Sequence, residues 1–332
     1  MNKTIRVAIT AERINNRAYE LAFRAFNDLT IFELCTPILY GARRDIEALY
    51  KALDIQVNMV FVNKVEEVQD GKLNILDTNP ELSFSRATDD CQQQHVDVMV
   101  VLGTPHQLEG NKVVLVNGSL RILLAEENWT KESFEEQASM FKNILRRDFM
   151  LSNPRIAVID ESLRPILDNL KNPAEEDFKS PNNQFITVFG PYNLESFVEE
   201  RTYGQFDGIM TSSKEQAKQL FDATYDAHGT TLITGLPFVV TSSFMSSKSM
   251  RQQDLEDNSA GQPLRNAVYL AIDVHRHRIN YDRPYQNPLP KLYHEKKDES
   301  EKVRFAIPKA KSDKNNAKAA PVDQNVNEET VE

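Results

Sequence analysis

Phe185-Ile-Thr-Val-Phe-Gly-Pro-Tyr192, Tyr203-Gly-Gln-Phe-Asp-Gly-Ile-Met210 and Gly235-Leu-Pro-Phe-Val-Val-Thr-Ser242 follow one another in a single stretch of the chain. Each is a run of apolar, β-branched or aromatic residues halted by Gly, Pro, Ser or Thr, the pattern of buried strands that end in tight loops. In open α/β sheets a ligand sits in the crevice beyond the carboxyl ends of the strands, so these tips are where chemistry is expected. They carry Ser, Thr and Met, with hardly an acid, a base or a metal ligand.

Toward the amino terminus the same alternation recurs. Ile5–Thr10 reads as a strand, Arg13–Asp28 as a helix with Leu21, Ala22, Ala25 and Phe26 at helical spacing, and Thr36–Gly41 as a strand. A helix over Arg43–Leu53, a strand over Asn58–Val62, a helix over Ser83–His95 and a strand over Val96–Leu102 continue it. Lys112–Val116 and Leu120–Leu124 flank Asn117-Gly118, a strong hairpin signal. Trp129–Arg147 reads as a helix with Thr130 as N-cap, and Arg155–Ile159 as a strand. Toward the carboxyl terminus, Lys214–Ala227 is helical, with Ala217, Leu220, Phe221 and Thr224 on one face. Pro263 opens a last helix with a stripe of Leu264, Ala267, Val268, Ala271 and Val274. Strands alternating with helices predict an α/β protein with a mostly parallel sheet. Asn172–Asn183 reads as an exposed loop and 296–332 as a disordered charged tail, interrupted only by Val303–Ile307.

The chain has 332 residues, enough for two compact domains, and a net charge of −10. That charge argues against nucleic acid or an anionic membrane as partner. Two cysteines, Cys35 and Cys91, are too few for a disulfide framework and point to the reducing cytoplasm. No apolar run reaches the roughly 20 residues of a membrane helix.

Neither Gly-x-Gly-x-x-Gly nor Gly-Lys-Ser/Thr occurs. His275 and His277 are two apart on a helix, point away from each other, and read as solvated or end-of-helix residues. His228, in the expected turn Ala227-His-Gly229, and His106, at a strand end, are each either a functional residue or an ordinary loop histidine. Cys35 and Cys91 are too far apart for a zinc pair, and Glu126-Glu127 and Glu199-Glu200 read as solvated carboxylates. Ser242, Ser243, Ser246, Ser247 and Ser249 lack a Gly-x-Ser-x-Gly elbow and read as a flexible polar loop.

Several blocks resemble the 4-hydroxythreonine-4-phosphate dehydrogenase family of vitamin B6 biosynthesis. They are Cys35-Thr-Pro-Ile-Leu-Tyr-Gly41, Arg155-Ile-Ala-Val158, Phe189-Gly-Pro-Tyr192, Phe206-Asp-Gly-Ile-Met210, Gly235-Leu-Pro-Phe-Val, Thr241-Ser242, Ala267–Asp273 and Asn287-Pro-Leu-Pro290. The resemblance implies an isocitrate/isopropylmalate dehydrogenase-like fold with an interdomain cleft, built as a homodimer. It implies a first α/β domain of 1–105 plus 236–295 and a second of 106–235 carrying the dimer interface. It also implies NAD(P)-dependent oxidation followed by decarboxylation, with a divalent metal as Lewis acid.

Residue by residue, the family's machinery is missing. Its three metal-binding histidines fall on Asn128, on the Asp160-Glu-Ser-Leu-Arg164 segment at Arg164, and on Ser212; no histidine lies between His106 and His228. The family's first glycine-rich loop is Ala11-Glu-Arg-Ile-Asn-Asn-Arg17, and its substrate-binding Gly-His-Thr-Glu block has no counterpart in the short Pro105–Lys112 region. The arginine before Thr-Ser is Val240, the His-Gly-Thr-Ala block is Phe244-Met-Ser-Ser-Lys248, and a cleft lysine is Asp222. Gly235, Pro237, Val240 and Thr241 are what remains of the cleft. The expectation is a non-catalytic binding or regulatory dimer without NAD(P) or metal, able to pair with an active paralogue. The alternative is an active dehydrogenase with unorthodox ligands drawn from His106, His228, Asp207 or Glu126.

Overall fold

Strand β1 (Ile5–Thr10) sets the pattern of the sheet: Val7 and Ile9 pack on one face and Ala8 on the other, all fully buried, as a central strand covered on both sides requires. The computed structural model describes residues 4–11, 14, 16–53, 55–103, 112–124, 130–171, 188–211, 213–224, 228–245 and 261–286. After β1 come α1 (Asn16–Ala25), β2 (Cys35–Gly41), α2 (Arg43–Ala52), β3 (Met59–Val62), β4 (Leu73–Asp77), α3 (Ser83–Gln92) and β5 (Val98–Val101). Then follow β6 (Val113–Asn117), β7 (Leu120–Leu124), α4 (Lys131–Asp148), β8 (Ile156–Ile159), α5 (Arg164–Lys171) and β9 (Val188–Phe189). The last elements are α6 (Leu194–Glu199), β10 (Gly208–Thr211), α7 (Lys214–Thr224), β11 (His228–Ile233), β12 (Val239–Met245) and α8 (Gln262–Gln286).

These strands form one sheet in the order β3-β4-β2-β1-β5-β12-β11-β6-β7-β10-β8-β9. The first six are mutually parallel. β11 runs antiparallel to both β12 and β6, and β7 antiparallel to β6. From β7 through β10, β8 and β9 the strands are parallel again, now in the opposite direction. The carboxyl ends of the parallel strands therefore face opposite edges: Thr10, Gly41 and Val101 one edge, Leu124, Ile159 and Thr211 the other.

The two faces are packed differently. On one, α8, α4 and α1 cover a core that joins Val7, Ile9 and Val239 to Val114, Leu123, Phe141 and Met210. On the other there are two cores. Ala8, Ile38, Tyr40, Phe84, Ala87 and Val240 form the first, under α3, and Leu115, Ile122, Ile209, Phe197, Leu220 and Phe221 the second, under α6 and α7.

Local signals account for the elements read from the sequence. Thr130 accepts from Ser133 N at 3.2 Å while Ser133 Oγ accepts from Thr130 N at 2.9 Å, a reciprocal cap that starts α4. The β6–β7 hairpin turns at Gly118, φ +58°, with Asn117 opposite Leu120. Leu264, Ala267, Val268, Ala271 and Val274 are all buried along α8.

The three runs at the centre of the sequence reading are shorter as strands than expected. Of the first, whose residues 185–187 lie outside the described residues, β9 is a half-buried strand at the sheet's edge; the second spends Thr202–Gln205 on a 3-10 turn. The third begins only at Val239, because Gly235 (φ +89°) takes the chain through a turn first. β4, α5, α6 and β11 were not expected, and β11 makes the sheet mixed. Residues 172–183 and the 296–332 tail lie outside the described residues. No helix among the described residues is long and apolar enough to cross a membrane.

Gly208 lies where α4 presses on β10: a Cβ there would stand 2.6 Å from Phe141 and 2.7 Å from Leu145, both fully buried. Gly208→Ala is expected to destabilise the fold by about 1–3 kcal/mol, read as a lower urea midpoint at unchanged m-value.

Candidate functional site

Where the two cores of the second face part, the sheet is crossed by β12, β11 and β6, and the side chains aimed there are Ser242, Thr231 and Val113. Alternation fixes this: Leu232 and Val114 point to the continuous core, so Thr231 and Val113 point away from it. Ser242 donates to Gly103 O at 2.5 Å, tying β12 to the turn after β5. At the other end of the crevice Thr234 donates to Lys112 O through both its amide and its hydroxyl, each at 2.9 Å. Gly229 lets the Phe221 ring of α7 lie directly on β11, since a Cβ there would collide with it. Among the described residues the floor is thus hydroxyl and alkyl.

At the first half's carboxyl edge the start of α2 is filled from within. Tyr19 Oη accepts from Ala42 N at 3.1 Å, and Asp77 Oδ1 accepts from Arg43 N at 3.0 Å. Burial pushes the Tyr19 phenol up, aided by the nearby Asp45 and Asp77 carboxylates. A helix amino terminus attracts anions, but here a carboxylate of the protein already takes that place. Ser83 Oγ and Thr10 Oγ both donate to Ala11 O, at 3.2 and 3.5 Å.

The second half's carboxyl edge is where the metal ligands would stand. After β8, Asp160 turns its carboxylate back to accept from Ser162 N at 2.8 Å, and Arg164 is exposed at the start of α5. After β10, Thr211 is buried, its hydroxyl directed to Leu123 O at 3.4 Å, and Ser213 caps α7 through Gln216 N at 3.2 Å. Asn128 and Ser212 lie outside the described residues. No group of three or more His, Cys, Asp or Glu able to hold a metal is found among the described residues. Among the described residues of this edge, the Arg164 guanidinium and the engaged hydroxyls of Thr211 and Ser213 do not fit a divalent cation, which needs anionic or imidazole donors.

The four residues named as the remnant of the cleft do not share one surface. Gly235 and Pro237 are exposed in the β11–β12 turn, Val240 is fully buried in the core under α3, and Thr241 points to the opposite face and donates to Ala267 O at 2.8 Å. Asp207 is engaged structurally, accepting from Arg155 N at 2.8 Å. His228 opens β11 instead of sitting in a turn, and Ser242 and Ser243 belong to β12 instead of a flexible loop. His106, Glu126, Glu127, Ser246, Ser247 and Ser249 lie outside the described residues. Cys35 and Cys91 are buried, and burial pushes both thiols up to about 12. Glu199 and Glu200 are exposed at the end of α6.

No family model matches the chain. It is 29% identical over 363 aligned residues to the 4-hydroxythreonine-4-phosphate dehydrogenase of Bacteroides thetaiotaomicron, spanning 91% of this chain and 97% of that protein. The chain resembles that dehydrogenase from end to end. The fold agrees. The crystal structure of a 4-hydroxythreonine-4-phosphate dehydrogenase from Burkholderia phymatum superposes with a TM-score of 0.57 at 15% identity, over 81% of this chain and 99% of that one. The Klebsiella pneumoniae 4-hydroxythreonine-4-phosphate dehydrogenase gives 0.57 at 14% identity, over 83% and 98%. Most of the blocks that carry the family resemblance fall on β2, β8, β10, β12 and α8, within the buried frame of the sheet, while Phe189–Tyr192 lies at its edge, Gly235–Phe238 in the β11–β12 turn, and Asn287–Pro290 outside the described residues.

Two histidines of this chain are placed differently from expectation. His275 and His277 lie within α8, neither fully solvated, and His277 Nδ1 stands 2.8 Å from Asp148 O, the usual distance of a ring N–H donating to a carbonyl. Burial holds the His275 imidazole below its ordinary 6.5; Asp97 opposes that shift, while Arg278 and Arg276 add to it. The unfolded chain takes up this proton near 6.5 and the folded chain only at lower pH, so His275 costs nothing above 6.5 and destabilises increasingly as pH falls below it. His275→Gln is expected to flatten the acid-side fall of the urea midpoint measured between neutral and mildly acid pH.

Proposed function

We propose that this chain has given up metal-dependent hydride transfer and acts as a binding or regulatory dimer. The donor set carries the reading. The sequence places no histidine between His106 and His228, and Arg164 stands exposed where an imidazole is needed. Removing even one residue that merely supports a ligand typically costs about 10- to 100-fold in metal affinity or activity; here the ligands themselves are replaced. A divalent ion would supply Lewis-acid polarisation of the hydroxyl being oxidised, and no step is assigned to it here.

The sheet order supports a two-lobe reading, with strands of 1–105 and 236–295 in one half and those of 106–235 in the other. We take the protein to be a cytoplasmic homodimer that can also pair with an active paralogue, needing neither nucleic acid nor membrane. If each site is shared across the dimer, such a mixed dimer holds no complete site, and pairing silences the partner.

End-to-end likeness to a protein named as a dehydrogenase favours a second reading, an active NAD-dependent 4-hydroxythreonine-4-phosphate dehydrogenase with unorthodox ligands. Of the residues that would serve, Asp207 is a poor choice because it precedes β10, at the edge away from that strand's carboxyl end, and already binds Arg155 N. Metal analysis of the purified protein, with nicotinamide reduction followed on 4-hydroxythreonine 4-phosphate, separates the two. The expected result is substoichiometric metal and no reduction above the buffer rate; stoichiometric metal with turnover establishes the second reading.

A further inference from the structure

On one face of the sheet a single core runs beneath both halves. On that face α8 packs on β12, β5 and β11, α4 packs on β10 through Phe141 and Leu145, and the two helices touch each other. Their contact is pinned by charge. Arg278 of α8 forks onto Asp148, the last residue of α4, with Nε–Oδ1 and Nη2–Oδ2 both 2.8 Å, and both residues are buried. His277 stands against the Asp148 carbonyl at 2.8 Å, and Arg147 reaches Asp282 at 3.1 and 2.5 Å. On the opposite face the described residues form two separate cores, the one under α3 reaching as far as Ile233 of β11, with Ser242, Thr231 and Val113 where they part.

We propose that the α4–α8 seam is a hinge, and that the Arg278–Asp148 fork is the pin that sets how far the two halves stand apart across the crevice. A sheet covered continuously on one side and discontinuously on the other bends most easily by opening the discontinuous side. That motion strains the seam and leaves each half's own core intact. A bidentate, buried guanidinium–carboxylate pair is directional, so it fixes angle as well as distance. The Arg147–Asp282 pair, half exposed, adds a second point on the same line.

The test places spin labels on the full chain at Ser85→Cys of α3 and Lys218→Cys of α7, both exposed and on either side of the crevice. Cys35 and Cys91 are buried and stay unlabelled. Distance distributions are compared between this protein and Arg278→Gln. The expected result is a broadened or displaced distribution in Arg278→Gln. Amides of β11 and β6 should also exchange at least about tenfold faster while those of β1 and β2 hold, because the loss is local to the junction. An unchanged distribution with uniformly faster exchange means that the pair only adds stability, and overturns the proposal. Should Arg278→Gln fail to fold, Asp282→Asn removes the outer pair alone. It is expected to move the distribution in the same direction by less; no movement overturns the hinge.

Discussion

The architecture depends on β11 running against both of its neighbours. Its backbone pairs with β12 on one side over six residue positions and with β6 on the other over four. Its side chains are divided as well, with Leu232 in the continuous core and Ile233 in the core under α3. β11 therefore knits β12 to β6, which run the same way, and the β6–β7 hairpin then reverses the chain into the second parallel block. A parallel join would need a crossover of a dozen or more residues, whereas an antiparallel one needs only a turn. Gly235, in the left-handed region, and Pro237 supply that turn between Ile233 and Val239. The reversal also sends the loop ends of the two blocks to different edges, so that any ligand bridging both must span the crevice over β12, β11 and β6.

Much of this frame was legible in the chain. Strands fully buried on both faces write themselves as continuous apolar runs, and β1, β2, β5 and β8 were read on that basis to within about two residues. The stripe along α8 and the Thr130 cap of α4 were equally plain, since each rests on contacts within a few residues. β11 was missed because its sequence, His-Gly-Thr-Thr-Leu-Ile, opens on residues that favour turns; its pairing partners, not its own propensity, make it a strand. β4 went unseen for a related reason. Asn74 interrupts its apolar run, yet is fully buried because its side-chain amide donates to the carbonyls of Pro37, Gln69 and Lys72. No local pattern announces a partner so far away in the chain.

The candidate site was legible in a different way. What the sequence could say was negative, that imidazoles are missing from the span where the family needs them; Arg164 itself opens α5 after β8. What it could not say was which way a side chain points. The family resemblance groups Val240 and Thr241 as cleft residues, but adjacency in a strand means opposite faces. Val240 faces the α3 core and Thr241 faces α8. The His-Arg-His-Arg run at 275–278 was the sequence's strongest unread signal. It was set aside as a solvated helix end, whereas Arg278 and His277 both close on Asp148.

The pattern of loss explains how such a chain can keep its family's fold. The residues that hold the frame are those of the strands and of α4 and α8, and they carry the blocks shared with the family. The positions that would do chemistry lie just beyond the strand ends, where a side chain bears little on the cores. Replacing histidine by arginine at an exposed α5 start removes no buried area, so stability imposes no penalty on it. Replacing Leu232 or Phe141, by contrast, opens a cavity in a core shared by both halves. Selection for folding alone therefore preserves the frame and places no constraint on the exposed positions beyond the strand ends, and for that reason likeness of frame and presence of activity have to be argued from different residues.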